Sequence, residues 1–321
     1  MRLVRVVTAV AAVVAAVAIL VAVGAHDRSA GDKSAAAGAP RAATPIQAHL
    51  PATPVSYLGV YTPGVPGSYA GLTAFTSATG IRPRVVLYYS AWLEPFQAGF
   101  AAAAARHGAV PLVQIEPAHV SLAAIASGQY DSYLGAYAAD VRGYGRPVIL
   151  SFGHEMNGPW YPWGHGHTSP AVFVAAWRHI VTLFRAHGAD NVTWLWTFNV
   201  IDTGRRIVPP APWWPGQSYV TWVGIDGYYY NSAATFGGLF GPDIAAARAL
   251  TRDPILVSET GVAPAAGQAT RIPNLFAGVH ADRLLGLVWF DAVGSRDWRL
   301  SDASAAAAFR RAAQAYRTPV S

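Results

Sequence analysis

The sequence contains no cysteine and few charged side chains. The absence of cysteine from all 321 residues excludes disulfide bonds, thiol catalysis and thiolate metal sites, and it leaves the redox compartment undetermined. Asp, Glu, Lys and Arg together account for only 12% of the residues. The net charge of +6 comes from scattered arginines without a basic run. We therefore expect this charge to serve solubility, and no nucleic-acid partner is predicted.

Two motifs that would indicate other enzyme classes are also missing. No Gly-x-Gly-x-x-Gly fingerprint follows the first predicted strand, which leaves a hydride-transfer enzyme as a distant alternative. His154-Glu155 has no second histidine four residues later, so it is not a zinc-protease motif. His165 and His167 alternate with glycines, but spacing fixes no third metal ligand, and a solvated or sugar-contacting loop is favoured. Neither a metal nor another cofactor is predicted.

The first residues predict export. Arg2 and Arg5 precede an apolar stretch at residues 6–23, and the small residues at 23–25 would serve as a cleavage site. The stretch is longer than a usual signal core and just reaches membrane-spanning length. Residues 1–25 are therefore predicted to be a signal peptide or, as the second choice, a membrane anchor. Residues 26–54 have the composition of a flexible linker, and the remainder is expected to be secreted or tethered outside the cytoplasm.

Strand-like and helix-like segments alternate through residues 55–317. Eight short apolar runs have the composition of buried parallel strands: Tyr57–Tyr61, Arg84–Tyr89, Ala109–Ile115, Pro147–Phe152, Val192–Phe198, Val220–Asp226, Ile255–Ser258 and Leu285–Phe290. Six segments between and after them have helical character: Pro95–His107, Ser132–Tyr144, Pro170–Ala186, Ile244–Leu250, Leu275–Ala281 and Ala305–Tyr316. This pattern predicts an α/β fold, a single-domain (β/α)8 TIM barrel over residues 55–317, rather than an open doubly wound sheet.

The strand ends of this predicted barrel are rich in acids, amides and aromatic rings. Catalytic side chains of such barrels lie where the strands end and the following loops begin. Strand 4 is followed by His154-Glu155-Met156-Asn157, and strand 3 ends in Glu116. Because an ionised carboxylate at the end of an apolar strand must be paired or solvated, we interpret Glu155 as catalytic. Glu116 is equally compatible with substrate binding and with a structural hydrogen bond.

A second carboxylate, Glu259, pairs with Glu155 in the predicted topology. The two residues are 104 positions apart, or three βα units of about 35 residues each, so they would face each other across the barrel mouth. Glycoside hydrolysis requires such a pair, with the two pKa values set apart by their surroundings. The 11 Trp residues suit a carbohydrate ligand. The alternative is that both acids are ion-pair partners at the rim.

The loop after strand 4 resembles the signature of glycoside hydrolase family 26. That loop reads His154-Glu155-Met156-Asn157-Gly158 and continues with Trp160-Tyr161-Pro162-Trp163-Gly164. Supporting matches lie on later strands and around the fourth helix: Asp226-Gly227-Tyr228, Ser258-Glu259-Thr260-Gly261, Trp289, Ala176-Trp177-Arg178-His179 and Gly188-Ala189-Asp190-Asn191-Val192. The resemblance spans about residues 56–298, and the strand 4 signature is its specific part.

This resemblance implies a retaining, endo-acting hydrolase of β-linked polysaccharides, chiefly β-1,4-mannan. Glu155 would be the general acid/base and Glu259 the nucleophile of a double displacement, with the carboxyls about 5–5.5 Å apart. The remaining candidates would bind or orient substrate. His154 would contact the sugar or the nucleophile, Trp160 and Trp289 would line the central subsites, Asp226 would give polar support, and Tyr228 would hold Glu259 ionised. Asn157 is placed among the substrate-binding residues, with orientation of Glu155 and its loop favoured over a contact with sugar.

Departures from the family pattern leave the polysaccharide open. Phe290 follows Trp289 where mannanases of the family often carry a cation, and strand 3 offers Gln114 and Glu116 rather than a histidine. Mixed-linkage β-1,3-1,4-glucan and β-1,3-xylan are the alternatives to mannan. An envelope carbohydrate-binding barrel without turnover is the alternative from another class, and the presence of both carboxylates and Tyr228 disfavours it. A monomer is expected.

Overall fold

Eight parallel strands close into a barrel in a computed structural model, which describes residues 50–316. The strands are β1 (Tyr57–Tyr61), β2 (Val85–Ala91), β3 (Val110–Glu116), β4 (Val148–Phe152), β5 (Val192–Asn199), β6 (Trp222–Tyr229), β7 (Ile255–Val262) and β8 (Gly286–Phe290). They pair in chain order, and β8 pairs with β1. The predicted (β/α)8 barrel is thus confirmed. The predicted signal peptide or anchor, and the predicted linker as far as residue 49, lie outside the described residues.

Eight α-helices accompany the strands within residues 50–316. They are α1 (Ala70–Thr79), α2 (Ala98–Arg106), α3 (Leu122–Ala126), α4 (Asp131–Tyr144), α5 (Pro170–Ala186), α6 (Phe236–Leu250), α7 (Gln268–Ala281) and α8 (Ala303–Tyr316). Between β5 and β6 the chain forms three short 3-10 helices, Thr203–Arg205, Ala211–Trp213 and Gln217–Tyr219, instead of an α-helix. Within residues 50–316, none of the helices is both long and apolar enough to span a membrane.

Helices α6 and α7 begin earlier than the sequence predicts. Their predicted starts, Ile244 and Leu275, come shortly after Pro242 and Pro273, which usually mark helix boundaries. Both prolines instead lie inside the helices. The earlier start of α6 is fixed by Thr235, whose Oγ1 accepts a hydrogen bond from the Gly238 amide at 3.2 Å and caps the helix.

The barrel interior changes from apolar to polar toward the C-terminal ends of the strands. Leu112, Ile149 and Leu195 belong to the apolar cluster inside the barrel. Because every second side chain of a strand points to the same face, the inward positions two residues later are Gln114, Ser151 and Thr197, all of them buried. This polar layer forms the floor on which the candidate site is built.

Candidate active site

The chain turns sharply between β4 and Glu155. Gly153 has φ 56° and Glu155 has φ 54°, so both residues adopt the left-handed backbone conformation. This conformation is costly for a residue with a side chain, and strained residues of this kind cluster at functional sites. The Glu155 amide donates to the Thr197 carbonyl oxygen at 3.0 Å, which anchors the turn on β5. The strained turn brings the Glu155 carboxyl over the barrel mouth.

A β-bulge places Glu259 in the same mouth. The β6–β7 register shifts between Ile225 and Asp226, so that Ile225 pairs with Val257 while Asp226 pairs with Glu259. Ser258 is therefore the extra residue of β7, and its hydroxyl donates to Asp226 Oδ1 at 2.6 Å. Bulges redirect side chains and are frequent next to active sites. Here the bulge lets two consecutive side chains of β7, Ser258 and Glu259, face the interior.

Glu155 is held by an amide and an indole. Asn199 Nδ2 donates to Glu155 Oε1 at 2.5 Å, and Trp160 Nε1 donates to Glu155 Oε2 at 2.8 Å. The Glu155 side chain is 8% exposed, so it faces the opening without being freely solvated. Rotation of the Asn199 amide would present its oxygen instead, because an amide carries both donor and acceptor. Asn199 can therefore serve both the ionised and the protonated form of Glu155.

Glu259 is held by two tyrosine hydroxyls. Tyr89 Oη donates to Glu259 Oε1 at 2.5 Å, and Tyr228 Oη donates to Glu259 Oε2 at 2.8 Å. The hydrogen bond expected between Tyr228 and Glu259 is therefore present, and Tyr89 adds a second one. Hydroxyl donors on both oxygens stabilise the carboxylate form. The glutamate pair thus has different surroundings, which is what separate catalytic roles require.

Burial and mutual repulsion raise the pKa values of the glutamate pair. Burial raises the pKa of Glu155 to about 7, against the opposing hydrogen bonds from Asn199 and Trp160. Burial and the charge of Glu155 raise the pKa of Glu259 to about 8, against the hydrogen bonds from the two tyrosines. Because the charge of Glu155 disfavours that of Glu259, the pair retains one proton near neutral pH, and the two carboxyls share it.

Two further predicted acids lie around this pair. Asp226 is fully buried, and burial together with the charges of Glu259 and Glu155 raises its pKa well above the ordinary value. It therefore supports the floor of the site and is too deeply buried to contact a ligand directly. Glu116 is half-buried at the end of β3, and burial followed by the charges of Glu259 and Glu94 raises its pKa to about 7. Glu116 thus lies close enough to Glu259 for the two charges to interact.

His154 lies behind the cleft rather than in it. The sequence predicts a contact with the sugar or with the nucleophile, but the side chain is only 1% exposed. Its Nε2 is 3.1 Å from Tyr161 Oη, and its ring packs against that of Tyr89 with the centroids 5.6 Å apart. Burial lowers the pKa of His154 to about 3, so the ring is neutral. The ring of His154 therefore contacts Tyr89, which in turn donates to Glu259.

Asn157 is a positioning residue and not a substrate ligand. Its Nδ2 donates to the carbonyl oxygens of Asn199 and Val208 at 2.7 and 3.0 Å, and its Oδ1 accepts from the Asn199 amide at 2.9 Å. The side chain is fully buried and its polar atoms are already used. The substrate-binding assignment of Asn157 is therefore wrong, and its expected orienting role agrees with these contacts, since it fixes Asn199 beside Glu155.

Trp160 rests on Gly158 and exposes the rest of its indole. A Cβ at Gly158 would lie only 2.3 Å from the Trp160 ring, so a side chain at 158 would displace that ring. Trp160 is 39% exposed, which leaves room for a sugar face to stack beside Glu155. On the other side of the mouth, Tyr61 and Phe290 stack with the centroids 4.7 Å apart. The two aromatic surfaces flank the glutamate pair.

Trp289 is not part of the site. In β8, Val288 belongs to the interior cluster, whereas Trp289 belongs to the cluster between barrel and helices. Trp289 is fully buried and packs edge-on against Phe309 of α8 with the centroids 5.5 Å apart. Because side chains alternate along a strand, Phe290 is the β8 residue that faces the mouth. The predicted subsite role of Trp289 is therefore wrong.

Substitution of Trp289 by alanine should reduce stability and leave substrate affinity intact. Removal of a buried indole from the strand–helix core typically costs about 3–5 kcal/mol in the free energy of unfolding. Denaturant unfolding, with KM measured below the unfolding transition, tests this expectation. A large rise in KM with unchanged stability would instead support the subsite role implied by the family resemblance.

The two histidines that the sequence offers as metal ligands, His165 and His167, lie in the loop after β4. His167 Nε2 is 3.0 Å from the Pro159 carbonyl oxygen, within the loop that also carries Trp160. Across residues 50–316, no group of three or more His, Cys, Asp or Glu side chains could hold a metal ion. The chemistry available at the mouth is that of two carboxyls, their hydrogen-bond partners and aromatic surfaces.

The sequence is similar to a glycosyl hydrolase family and to proteins named for polysaccharide hydrolysis. The profile described as "Glycosyl hydrolase family 26" matches residues 131–270, which include both glutamates. Endoglucanase H of Acetivibrio thermocellus is 29% identical over 266 residues, which is 78% of this chain and 29% of that protein. Beta-1,3-xylanase TXYA of a Vibrio species is 31% identical over 107 residues, or 32% of this chain and 21% of that protein. The chain therefore spans less than a third of these relatives.

The fold also matches that of solved structures. The structure of the Bacillus subtilis mannanase BCman superposes with a TM-score of 0.60 at 19% sequence identity, covering 79% of this chain and 83% of that one. At this level of identity the match concerns the fold.

Proposed function

Because the chain belongs to glycosyl hydrolase family 26, we propose that it is a retaining endo-β-glycanase whose substrate is β-1,4-mannan. One observation carries the proposal: Glu155 and Glu259 lie buried at one mouth, close enough for the charge of Glu155 to raise the pKa of Glu259. Their surroundings differ, since an amide and an indole hold Glu155 whereas two phenols hold Glu259, and such a difference separates the roles of two carboxyls. The polysaccharide is the substrate partner, and no cofactor has a step in this mechanism.

In the first step, Glu259 attacks the anomeric carbon while Glu155 protonates the departing glycosidic oxygen. Tyr89 and Tyr228 donate to both oxygens of Glu259, which opposes the effect of burial on its pKa and aims the attacking oxygen. Glu155 begins the step with the proton that the glutamate pair retains. A glycosyl ester of Glu259 and a shortened sugar chain result.

In the second step, Glu155 acts as the base. It removes a proton from the water that attacks the ester, and Glu259 leaves as a carboxylate. Asn199 can follow this change by presenting nitrogen to the ionised Glu155 and oxygen to the protonated one. Trp160, whose indole donates to Glu155 Oε2, holds the carboxyl in place at the edge of its exposed ring.

A substrate panel tests the proposal. Reducing-end release would be measured on β-1,4-mannan, mixed-linkage β-glucan, β-1,3-xylan and envelope glycans, and the first anomer formed would be followed by NMR. We expect mannan to be cleaved with retention and with a rapid loss of viscosity. Binding without release from any polymer would favour the carbohydrate-binding alternative, and inversion would contradict the double displacement.

Mixed-linkage β-1,3-1,4-glucan is the second candidate substrate. The relative named Endoglucanase H matches 78% of this chain, and Phe290 replaces the cation that mannanases often carry after the strand 8 tryptophan. The stacked pair of Tyr61 and Phe290 offers an apolar wall where a charged group would otherwise bind sugar hydroxyls. A higher kcat/KM on mixed-linkage glucan than on mannan would select this candidate.

The activity should follow a bell-shaped pH profile whose basic limb lies at a higher pH than an ordinary carboxyl would give. The productive form carries one proton on the pair, on Glu155, while Glu259 is ionised. Activity is lost at low pH as Glu259 takes up a proton, and at high pH as Glu155 loses its own. Because burial raises the pKa values of the pair to about 7 and 8, the basic limb of kcat/KM should lie near neutral pH or just above it. A basic limb near pH 5 would contradict this assignment.

We also propose that the protein is exported. The support is the sequence of residues 1–25, namely two arginines, an apolar stretch and a small-residue site. Terminal sequencing of the mature chain decides between the two predicted forms: a new N-terminus near residue 26 indicates a cleaved signal, and an intact one indicates an anchor.

A further inference from the structure

Arginines gather at the face of the barrel opposite the mouth. In a (β/α)8 barrel this N-terminal face is formed by the connections that lead from each helix to the next strand. Arg82 and Arg84 precede β2, Arg106 precedes β3, and Arg142 and Arg146 precede β4. All five side chains are exposed. The connections on this half of the face, counted from the last helical turn, carry no acid.

The other half of the face continues the pattern. Arg185 precedes β5, Arg248 and Arg252 precede β7, and Arg283 precedes β8, and all four are exposed. The acids in these connections are Asp190, Asp253 and Asp282. One side of the molecule thus carries nine arginines and three aspartates. They are scattered along the sequence and come to one face only in the folded barrel.

Stabilisation of helix ends accounts for part of this arrangement. Basic side chains in a last turn interact favourably with the negative end of the helix, and four of the nine lie there: Arg106, Arg142, Arg185 and Arg248. The other five lie beyond the helix ends, where this interaction fades. A second explanation is needed for them.

A cleft lies on the same face as the arginines. It encloses about 440 Å³ and is lined in part by Arg82, Arg84, His107 and Tyr316. Tyr316 is 4% exposed, and its hydroxyl has no hydrogen-bond partner among residues 50–316. The guanidinium groups of Arg82 and Arg84, which line the cleft, are suited to phosphate oxygens.

The chain also enters the barrel at this face. Leu50, the first described residue, donates from its amide to Thr193 Oγ1 near the start of β5 at 3.4 Å. Pro51 accepts from Tyr57 Oη at 2.7 Å, at the start of β1. At Leu50 the described chain therefore begins at the face that carries the arginines.

We propose that the arginine-rich N-terminal face docks onto an anionic phospholipid membrane, the one across which the chain is exported. The charge is spread over a whole face that also receives the segment before Leu50. A membrane surface matches this broader pattern better than a linear polyanion would, since a strand of polymer needs only a groove. Docking in this orientation turns the acidic mouth away from the lipid and toward the polysaccharide.

Vesicle flotation of the full chain tests the proposal. The chain would be mixed with vesicles of phosphatidylcholine alone, or with about 30% phosphatidylglycerol, at low and at high salt. Because residues 6–23 can insert into either vesicle, the readout is the ratio of anionic to neutral binding. We expect a ratio well above one that falls as salt rises. Each arginine near an anionic surface contributes about fivefold in affinity.

Paired variants identify the responsible face. Arg84→Gln/Arg146→Gln should lower the ratio at least tenfold, given about fivefold per arginine. The matched control Arg206→Gln/Arg296→Gln changes two exposed arginines of the loops at the mouth, has the same net charge, and should lower the ratio less than about twofold. Turnover of a soluble substrate should be unchanged in Arg84→Gln/Arg146→Gln, so a failure of docking is distinguishable from a failure of the proposed catalysis.

Three results would overturn the docking proposal. One is an equal loss of binding in the two double variants, and another is a full-chain ratio near one at low salt. The third is salt-dependent capture by immobilised polyphosphate without preference for the phosphatidylglycerol vesicles, which would assign the face to an anionic polymer instead.

Discussion

Replacement of Glu259 by glutamine should abolish polysaccharide cleavage, with a loss in kcat of about 10⁴-fold or more. A glutamine amide keeps the size of the side chain but cannot form the glycosyl ester. In the variant, one tyrosine would still donate to the glutamine oxygen and the other would accept from the amide nitrogen, so the cleft should keep its shape and its affinity for the polymer. Reducing-end assays and a binding measurement on the same preparation test both halves of this expectation.

The stability of Glu259→Gln supplies the control for folding. Burial raises the folded-state pKa of Glu259 to about 8, so the folded chain binds more protons than the unfolded chain between about pH 4.5 and 8. Stability of the unmodified protein therefore falls as pH rises through this window. An uncharged glutamine removes the Glu259 contribution, so the variant should melt higher than the parent at pH 8. Full activity in a well-folded variant would defeat the nucleophile assignment.

Replacement of Glu155 by glutamine should give a loss that depends on the leaving group. On polysaccharide, loss of general acid and base catalysis costs about 10²–10⁴-fold. On an aryl glycoside with an acidic phenol, the first step needs little protonation, so Glu259 can still form the ester. The ester then accumulates because no base activates water. A burst of phenol followed by slow turnover is the expected kinetic trace.

An external nucleophile separates the two glutamates further. Azide needs no general base, so it should accelerate turnover of the aryl glycoside by Glu155→Gln and yield a β-glycosyl azide. Glu259→Gln lacks the ester and should not yield this product. Equal losses on both substrate classes, without azide rescue in either variant, would contradict the assigned roles.

The barrel could be predicted from the sequence because its strands are short, apolar and separated by helix signals. Strand β1 begins and ends where the sequence predicts, whereas β7 is longer because its bulge carries the pairing beyond Ser258. Helix α1 was not predicted, since only Leu72, Phe75 and Thr79 of its residues are buried. Helix α3 spans five residues, too few to show a period.

The site was only partly predictable, because the sequence does not show which way each strand-end side chain points. Tyr89 and Asn199 stand at predicted strand ends, yet their roles depend on strand alternation counted from the interior layer. The same count would have placed Phe290 inward and Trp289 outward. The contacts of Asn157 involve residues more than 40 positions away, and no local pattern encodes them.

The hydrogen bond from Tyr89 to Glu259 determines how deep a bound sugar can sit. It joins β2 to β7, which are separated in the barrel by β8 and β1, so the Tyr89 side chain extends across the opening. Gln114 and Asp226 lie below it and are fully buried. A sugar ring must lie above this hydrogen bond. The surrounding loops therefore determine which polysaccharide is bound. Preference for one polymer could then shift by loop changes alone, without disturbing the reacting carboxyls.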